Sequence, residues 1–231
     1  IIEGPVLSPE IRHFTAYIAV PVRHAMTMGE LARLHNIVAK IGAKLQVIPL
    51  KGWSRDLWYD QTGLPWTKPS PNMPDLDAAT LYPGIGCFES TNLAVGRGTP
   101  VPFRWVGAPW FRSREVLLRL QKAALPGVRF EAQDYTPTKS LYEGERSKGI
   151  RIRITDREKA RPLRVFAHLL AITRDLHPLE FGVRWDEERR MAGTDQLRLL
   201  YEGGAGPADI IKLFDGGSKE FDAVRNAFLL Y

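Results

Sequence analysis

"FTAYIAVPVRHAMTMGELARLHNIVAKIGAKLQVIPL", running from Phe14 to Leu50, is the stretch on which the expected fold turns. Its first nine residues are rich in aromatic and β-branched side chains and read as a strand. Thr27 and Glu30 then form an S/T-x-x-E capping box, which predicts a helix beginning near Met28. Leu31, Leu34, Ile37, Val38 and Ile41 recur at helical spacing and give that helix one apolar face. Gly42 is the expected stop. "AKLQVIPL" reads as a short buried strand, and the strand–helix–strand order predicts a βαβ unit in a parallel sheet.

Lys51 to Pro74 is a long segment of low periodicity, "KGWSRDLWYDQTGLPWTKPSPNMP", with Trp53, Trp58 and Trp66. Aromatic richness argues against disorder, and a loop this long in a compact domain is usually functional. It follows a predicted strand's C-terminal end, where open α/β sheets place ligands. Asp75 caps an expected short helix over "DLDAATLYPG". "VPFRWVGAP" reads as a strand, and "SREVLLRLQKAAL" as a helix stopped by Pro126-Gly127. "GVRFEAQDYTPT" and "GIRIRITD" alternate as strands with one solvated face. "PLRVFAHLLAITRDLHP" is a helix with Pro162 in its first turn. Three shorter helices are expected near 195–201, 207–214 and 219–230. The fold class expected is therefore α/β, with a boundary near 100–112.

Composition narrows the function classes. With 44% hydrophobic and 25% charged residues, the 231-residue chain resembles an ordinary globular protein. No stretch offers the roughly 18 apolar residues of a membrane span. Lys plus Arg number 32 and Asp plus Glu 26, so the net charge is +6, spread along the chain without a nucleic-acid arm. That excess suits an anionic small molecule or glycan. The single Cys87 excludes an intrachain disulfide. The five histidines show no metal-ligand spacing. No metal and no cofactor are expected. The opening "IIEGPVLSPE" has no initiator Met and no signal-like leader, as in a processed product or the later part of a longer protein.

In order along the chain stand "EGP" (3–5), "PVRHAMTMGELARL" (21–34), "PLKGWSRDLWYDQTGLPWTKPSPNMP" (49–74), "LYPG" (81–84), "FESTNLAVGRGT" (88–99), "GAPW" (107–110), "GVRF", "YTPT", "ITD" and "AGTDQLR". This series resembles the NamZ-like exo-β-N-acetylmuramidases. The resemblance implies a peptidoglycan glycosidase that removes N-acetylmuramic acid from non-reducing ends of cell-wall fragments. It implies a Rossmann-like domain, here its C-terminal part over residues 1–110, and a smaller α/β domain over 111–231, with the cleft between them. It further implies a secreted or periplasmic setting, and that the first half of the Rossmann-like domain is missing from this chain. "ES" stands here for the family's usual "EG", and "RHA" for "RHG".

Glycosidic hydrolysis generally needs two carboxyls. Glu89 lies in a segment of small polar residues that brings backbone near a ligand, and Glu3 in "EGP" is the second candidate. The alternative for Glu89 is a loop carboxylate bonded to Arg97 or to backbone amides. His24 is a candidate to polarise a substrate group or carry a proton. Arg23, Arg55 and Arg97 are candidates for the lactyl carboxylate of muramic acid, since arginine binds carboxylates bidentately. For each, the competing assignment is pairing with a carboxylate of the protein itself. Trp53 and Trp58 suit sugar faces, and Asn72 and Asn92 suit acetamido and hydroxyl groups. Tyr135 and Thr138 are placed to reach the cleft from the second domain. A non-catalytic glycan-binding protein, or an inactive truncated half, is the alternative to the enzyme.

Overall fold

A computed structural model describes all of residues 1–231. The chain is mixed α/β, with five strands and eight helices. β1 (Glu3–Val6) pairs antiparallel with β2 (Pro21–Arg23), Glu3 lying opposite Arg23. β3 (Trp105–Ala108), β4 (Val128–Ala132) and β5 (Lys148–Ile154) form a second antiparallel sheet in the order β3-β5-β4. The expected alternation holds there: Phe130 and Ile152 face each other in the core. On the outer face Glu131 bridges Arg129 and Arg153.

The parallel βαβ unit predicted around Phe14–Leu50 is corrected. Both sheets are antiparallel, and of the first predicted strand, Phe14–Val22, only Pro21 and Val22 lie in a ladder strand. Residues 43–50 make no strand, and Ile48 and Leu50 are exposed. A strand is stable only when its backbone groups are paired by a neighbour, and none lies beside this segment. Helix α1 (Met28–Val38) starts where the capping box places it: Thr27 Oγ1 accepts from Glu30 N, and Glu30 Oε2 accepts from Thr27 N. It ends four residues before Gly42. Its apolar face is only partly used, because Leu34 is buried while Ile37 and Val38 are exposed.

The main core runs from Met73 to Phe214. It gathers α2 (Leu76–Ile85), α3 (Ser113–Ala123) and the β3-β5-β4 sheet around α4 (Pro162–Leu176). Asp75 caps α2 by accepting from Ala78 N at 2.9 Å. The expected division near residue 110 falls inside this core, between the buried Ala108 and Phe111. α5 (Trp185–Ala192), α6 (Gln196–Glu202), α7 (Pro207–Asp215) and α8 (Ser218–Asn226) complete the chain.

α5 was not among the expected helices. "WDEERRMA" is too polar to show an apolar stripe. Its signal is electrostatic: Asp186, Glu187 and Glu188 fill the first turn and Arg189 and Arg190 the last, which matches the helix dipole.

Trp105 is fully buried and shows how tightly the second sheet is built. Its indole N–H donates to Gln133 O at 2.7 Å, and its ring lies over Gly107 and Gly149. A Cβ at Gly149 would sit 2.3 Å from Cε2 of the ring. Gly149→Ala is therefore expected to destabilise the chain by about 3 kcal/mol, the upper part of the overpacking range. For a chain of this length that lowers Tm by roughly 6–12 °C in a thermal melt.

Candidate active site

Glu89 belongs to a 3₁₀ turn, Gly86–Ser90, that follows α2 directly. Three successive carbonyls of this turn are held. Cys87 O accepts from Ser90 Oγ at 2.7 Å. Phe88 O accepts from Thr91 Oγ1 at 2.7 Å and from Thr91 N at 3.0 Å. Glu89 O accepts from Arg184 Nη2 at 2.5 Å. The backbone beneath the carboxylate thus has little freedom. Glu89 Oε1 accepts from Arg97 Nε at 2.5 Å, while Oε2 makes no hydrogen bond within the protein. The Glu89 side chain is 21% exposed. It opens on a cleft of about 250 Å³ with Thr91, Asn92, Arg97, Ser140 and Arg184 among its walls.

Gly96 and Gly98, on either side of Arg97, both have positive φ, +79° and +76°, a conformation that glycine adopts without strain. A Cβ at Gly98 would lie 2.5 Å from Lys139 O, so glycine also lets residues 138–140 close over this loop. Thr138 seals the contact, its N–H and hydroxyl both donating to Gly98 O. Thr138 therefore shapes the cleft wall through backbone contacts. Tyr135 points to its own sheet: its OH accepts from Arg151 and its ring meets Trp105 edge-on. Asn92 lines the cleft, but its amide is already used, donating to Glu180 O at 2.6 Å and accepting from Gly182 N at 2.8 Å.

A second cavity, of about 560 Å³, contains His24 together with Tyr82 and Arg190. His24 Nδ1 accepts from Met26 N at 3.1 Å, so the ring proton sits on Nε2. Burial pushes the imidazole pKa below its usual value and keeps the ring neutral. His24 is thus a hydrogen-bond donor at neutral pH. Tyr82, from α2, lines this cavity. Its ring meets Phe103 edge-on at 4.8 Å, and Arg97 lies over the other ring of that contact at 5.1 Å. Burial, and then the negative charge of Glu89, push the Tyr82 phenol pKa up.

The three arginines singled out in the sequence all meet protein carboxylates. Arg23 pairs with Glu3 at 2.6 Å, Arg97 with Glu89, and Arg55 with the fully buried Glu30 at 2.5 Å. Arg55 also donates to Ala25 O. Glu3 is 4% exposed across the β1–β2 pair. Burial raises its pKa against the opposing pull of Arg23.

The loop tryptophans are also engaged. Trp53 stands edge-on to Tyr231. The Trp58 indole N–H donates to Glu158, and Arg157 lies over its ring at 4.9 Å. Trp66 packs on the core and donates to Met73 O. Asn72 is half-buried and lines none of these cavities. Cys87 is buried, as a small hydrophobe should be.

The arrangement brings together Glu89, Arg97, Ser140 and Leu141 in one cleft, and His24, Tyr82 and Arg190 in another. Sequence reasoning missed Tyr82 and Arg190. Tyr82 sits inside a motif already quoted, "LYPG". Arg190 sits on the helix that polarity concealed, and it has no carboxylate partner within the protein.

The chain matches two family models: "Exo-beta-N-acetylmuramidase NamZ, C-terminal" over residues 80–231 and "Exo-beta-N-acetylmuramidase NamZ, N-terminal" over residues 1–77. It is 36% identical over 231 residues to the peptidoglycan beta-N-acetylmuramidase NamZ of Bacillus subtilis (strain 168). All of this chain and 56% of that relative are covered. Two solved DUF1343-family proteins of Bacteroides fragilis NCTC 9343 share the fold along the whole chain. One has a TM-score of 0.94 at 25% identity and the other 0.77 at 24%, with 62% of each covered. The chain thus spans a little over half the length of the relatives it matches. By these matches, which run from its first residue to its last, the chain belongs to the NamZ exo-β-N-acetylmuramidase family.

Proposed function

We propose that this chain supplies part of the site of an exo-β-N-acetylmuramidase, which releases N-acetylmuramic acid from non-reducing ends of peptidoglycan fragments. The observation that carries the reading is Glu89. Its backbone is held at three carbonyls, one oxygen is anchored by Arg97, and the other is free on a cleft. A carboxylate so prepared can move a proton or meet charge that develops at the sugar carbon, without first reorganising. His24 donates through Nε2 to a sugar oxygen. The Tyr82 ring offers a face within the His24 cavity. Arg190, unlike Arg23, Arg55 and Arg97, has its guanidinium free for the lactyl carboxylate. A secreted or periplasmic setting goes with this proposed substrate.

The test is release of N-acetylmuramic acid from a chromogenic muramide and from muropeptides with a muramic acid end. Arg190→Ala is expected to raise KM about tenfold or more, the value of a charge-assisted contact, with kcat changed less. A matched substrate lacking the lactyl group should show no such rise. An equal KM effect on both substrates would remove Arg190 from carboxylate recognition.

One observation favours the second reading, binding without turnover. Glu89 is the sole carboxylate on its cleft, and Glu3 is enclosed with Arg23, whereas hydrolysis ordinarily uses two. Saturable binding of the muramide with no sugar release by the 231-residue chain would decide for it.

A further inference from the structure

Glu188, on α5, is 1% exposed, and no part of the site described above uses it. One carboxyl oxygen, Oε2, contacts Ser90 Oγ, and the other, Oε1, has no hydrogen-bond partner. Ser90 directly follows Glu89. We propose that Glu188 is held as a neutral, proton-bearing acid and acts as a positioning residue for Glu89, fixing through Ser90 the turn from which that carboxylate projects.

The Ser90 hydroxyl has one proton and touches two oxygens, Cys87 O and Glu188 Oε2. A backbone carbonyl can only accept, so the hydroxyl proton goes to Cys87 O. The contact with Glu188 then needs a proton from Glu188. With that proton present, a relay runs Glu188 O–H to Ser90 O–H to Cys87 O, and every donor is used. With it absent, two acceptors compete for one proton, and a carboxylate charge lies buried with one oxygen bare.

No neighbouring cation offsets that charge. On the turn packed against it, the titratable groups are the Cys87 thiol and Glu89, and Glu89 is taken up by Arg97. On α5 itself, Arg184 pairs with Glu187 and Arg189 with Asp195. On α6, Arg198 pairs with Glu202, and Tyr201 packs against Trp185. Arg190 reaches the His24 cavity instead. Burial accordingly pushes the Glu188 pKa up to about 8, against a smaller opposing effect from Ser90.

A carboxyl whose folded pKa lies above its unfolded value contributes stability below the unfolded pKa, here 4.5. That contribution is lost as pH rises towards about 8. Glu188→Gln keeps a donor for Ser90 and removes the titration. Its Tm relative to wild type should therefore climb between pH 5 and pH 9, by about 5 °C or more. Parallel melting curves for the two proteins would overturn the neutral assignment.

Positioning is read from amide hydrogen exchange of the peptide covering residues 86–92. At pH 7, Glu188→Ala should exchange there at least tenfold faster than wild type, with Glu188→Gln restoring protection. At pH 9, wild type should approach the alanine variant while Glu188→Gln does not. Unchanged exchange in Glu188→Ala, or no rescue by Gln, would overturn positioning.

The catalytic consequence rests on the Glu89 reading: sugar release by wild type should fall on the alkaline side near the pKa of Glu188, and Glu188→Gln should extend that limb. Coincident alkaline limbs in the two proteins would argue against positioning. A wild-type chain without turnover would count against the Glu89 reading, and the melting and exchange results would still decide the role of Glu188.

Discussion

Glu89→Gln is expected to lower kcat for release of N-acetylmuramic acid by about 10²–10⁴-fold, the range for loss of a positioned acid–base group. The substitution is nearly isosteric. The Gln carbonyl oxygen can still accept from Arg97 Nε, and the backbone anchors at Cys87, Phe88 and Glu89 do not involve the side chain. The fold should therefore persist, with Tm within a few degrees of wild type. What disappears is the charge, and with it the ability of the free Oε2 to take or give a proton. Near-normal sugar release by Glu89→Gln would sink the assignment. Arg97→Met separates the two parts of the pair: it leaves the carboxylate but removes its anchor, so kcat should fall by less than in Glu89→Gln.

The largest expected effect on stability is at Glu30. This carboxylate is fully buried and accepts from Thr27 N at 2.7 Å, Leu230 N at 2.8 Å and Arg55 Nη2 at 2.5 Å. It joins the start of α1, the Trp-rich loop and the last residues of the chain. Glu30→Ala leaves the Arg55 guanidinium without its partner and two backbone donors unsatisfied. Breaking such a buried pair costs about 3–5 kcal/mol, or a Tm lower by roughly 6–20 °C for a chain of this size. A melt within 2 °C of wild type would show that the cluster contributes little.

The pH dependence of the Glu30 cluster has a definite sign. Burial alone would raise the Glu30 pKa, but the N–H groups of Leu230 and Thr27 together with Arg55 overcome it and hold the pKa below the usual 4.5. The cluster's contribution is therefore present above pH 4.5 and is lost as pH falls through the lowered value. The gap between wild type and Glu30→Ala should close on acidification, opposite in sense to Glu188.

The same cluster gives Arg55 a partner that its local sequence does not reveal. It sits in a motif-rich loop, and the sequence shows no partner within reach. Glu30 is 25 residues earlier in the chain and Tyr231 is 176 later. Only folding brings them together. Arg55 and Arg225 both donate to Ala25 O, and Ala25 has φ of +52°. These arginines therefore hold the turn that carries His24.

Local chemistry by itself determined much of this protein. The Thr27–Glu30 box and Asp75 set the starts of two helices, because capping is satisfied within four residues. Pro162 and the apolar spacing after it predicted α4. Alternation predicted β4 and β5. The ordered motifs pointed to the family, and "ESTNLAVGRGT" contained the Glu89–Arg97 pair eight residues apart.

Only the tertiary structure decided the rest. The strand expected at 43–50 does not form, since a ladder needs a partner that local sequence cannot supply. Arg23 and Arg55 went to protein carboxylates, while Arg190, on a helix marked by charge rather than by apolar spacing, was left free. Burial decided the protonation of Glu188, whose contact with Ser90 spans 98 residues. Propensity and capping act over a few residues. Burial, pairing and the resulting charge states depend on which distant segments meet.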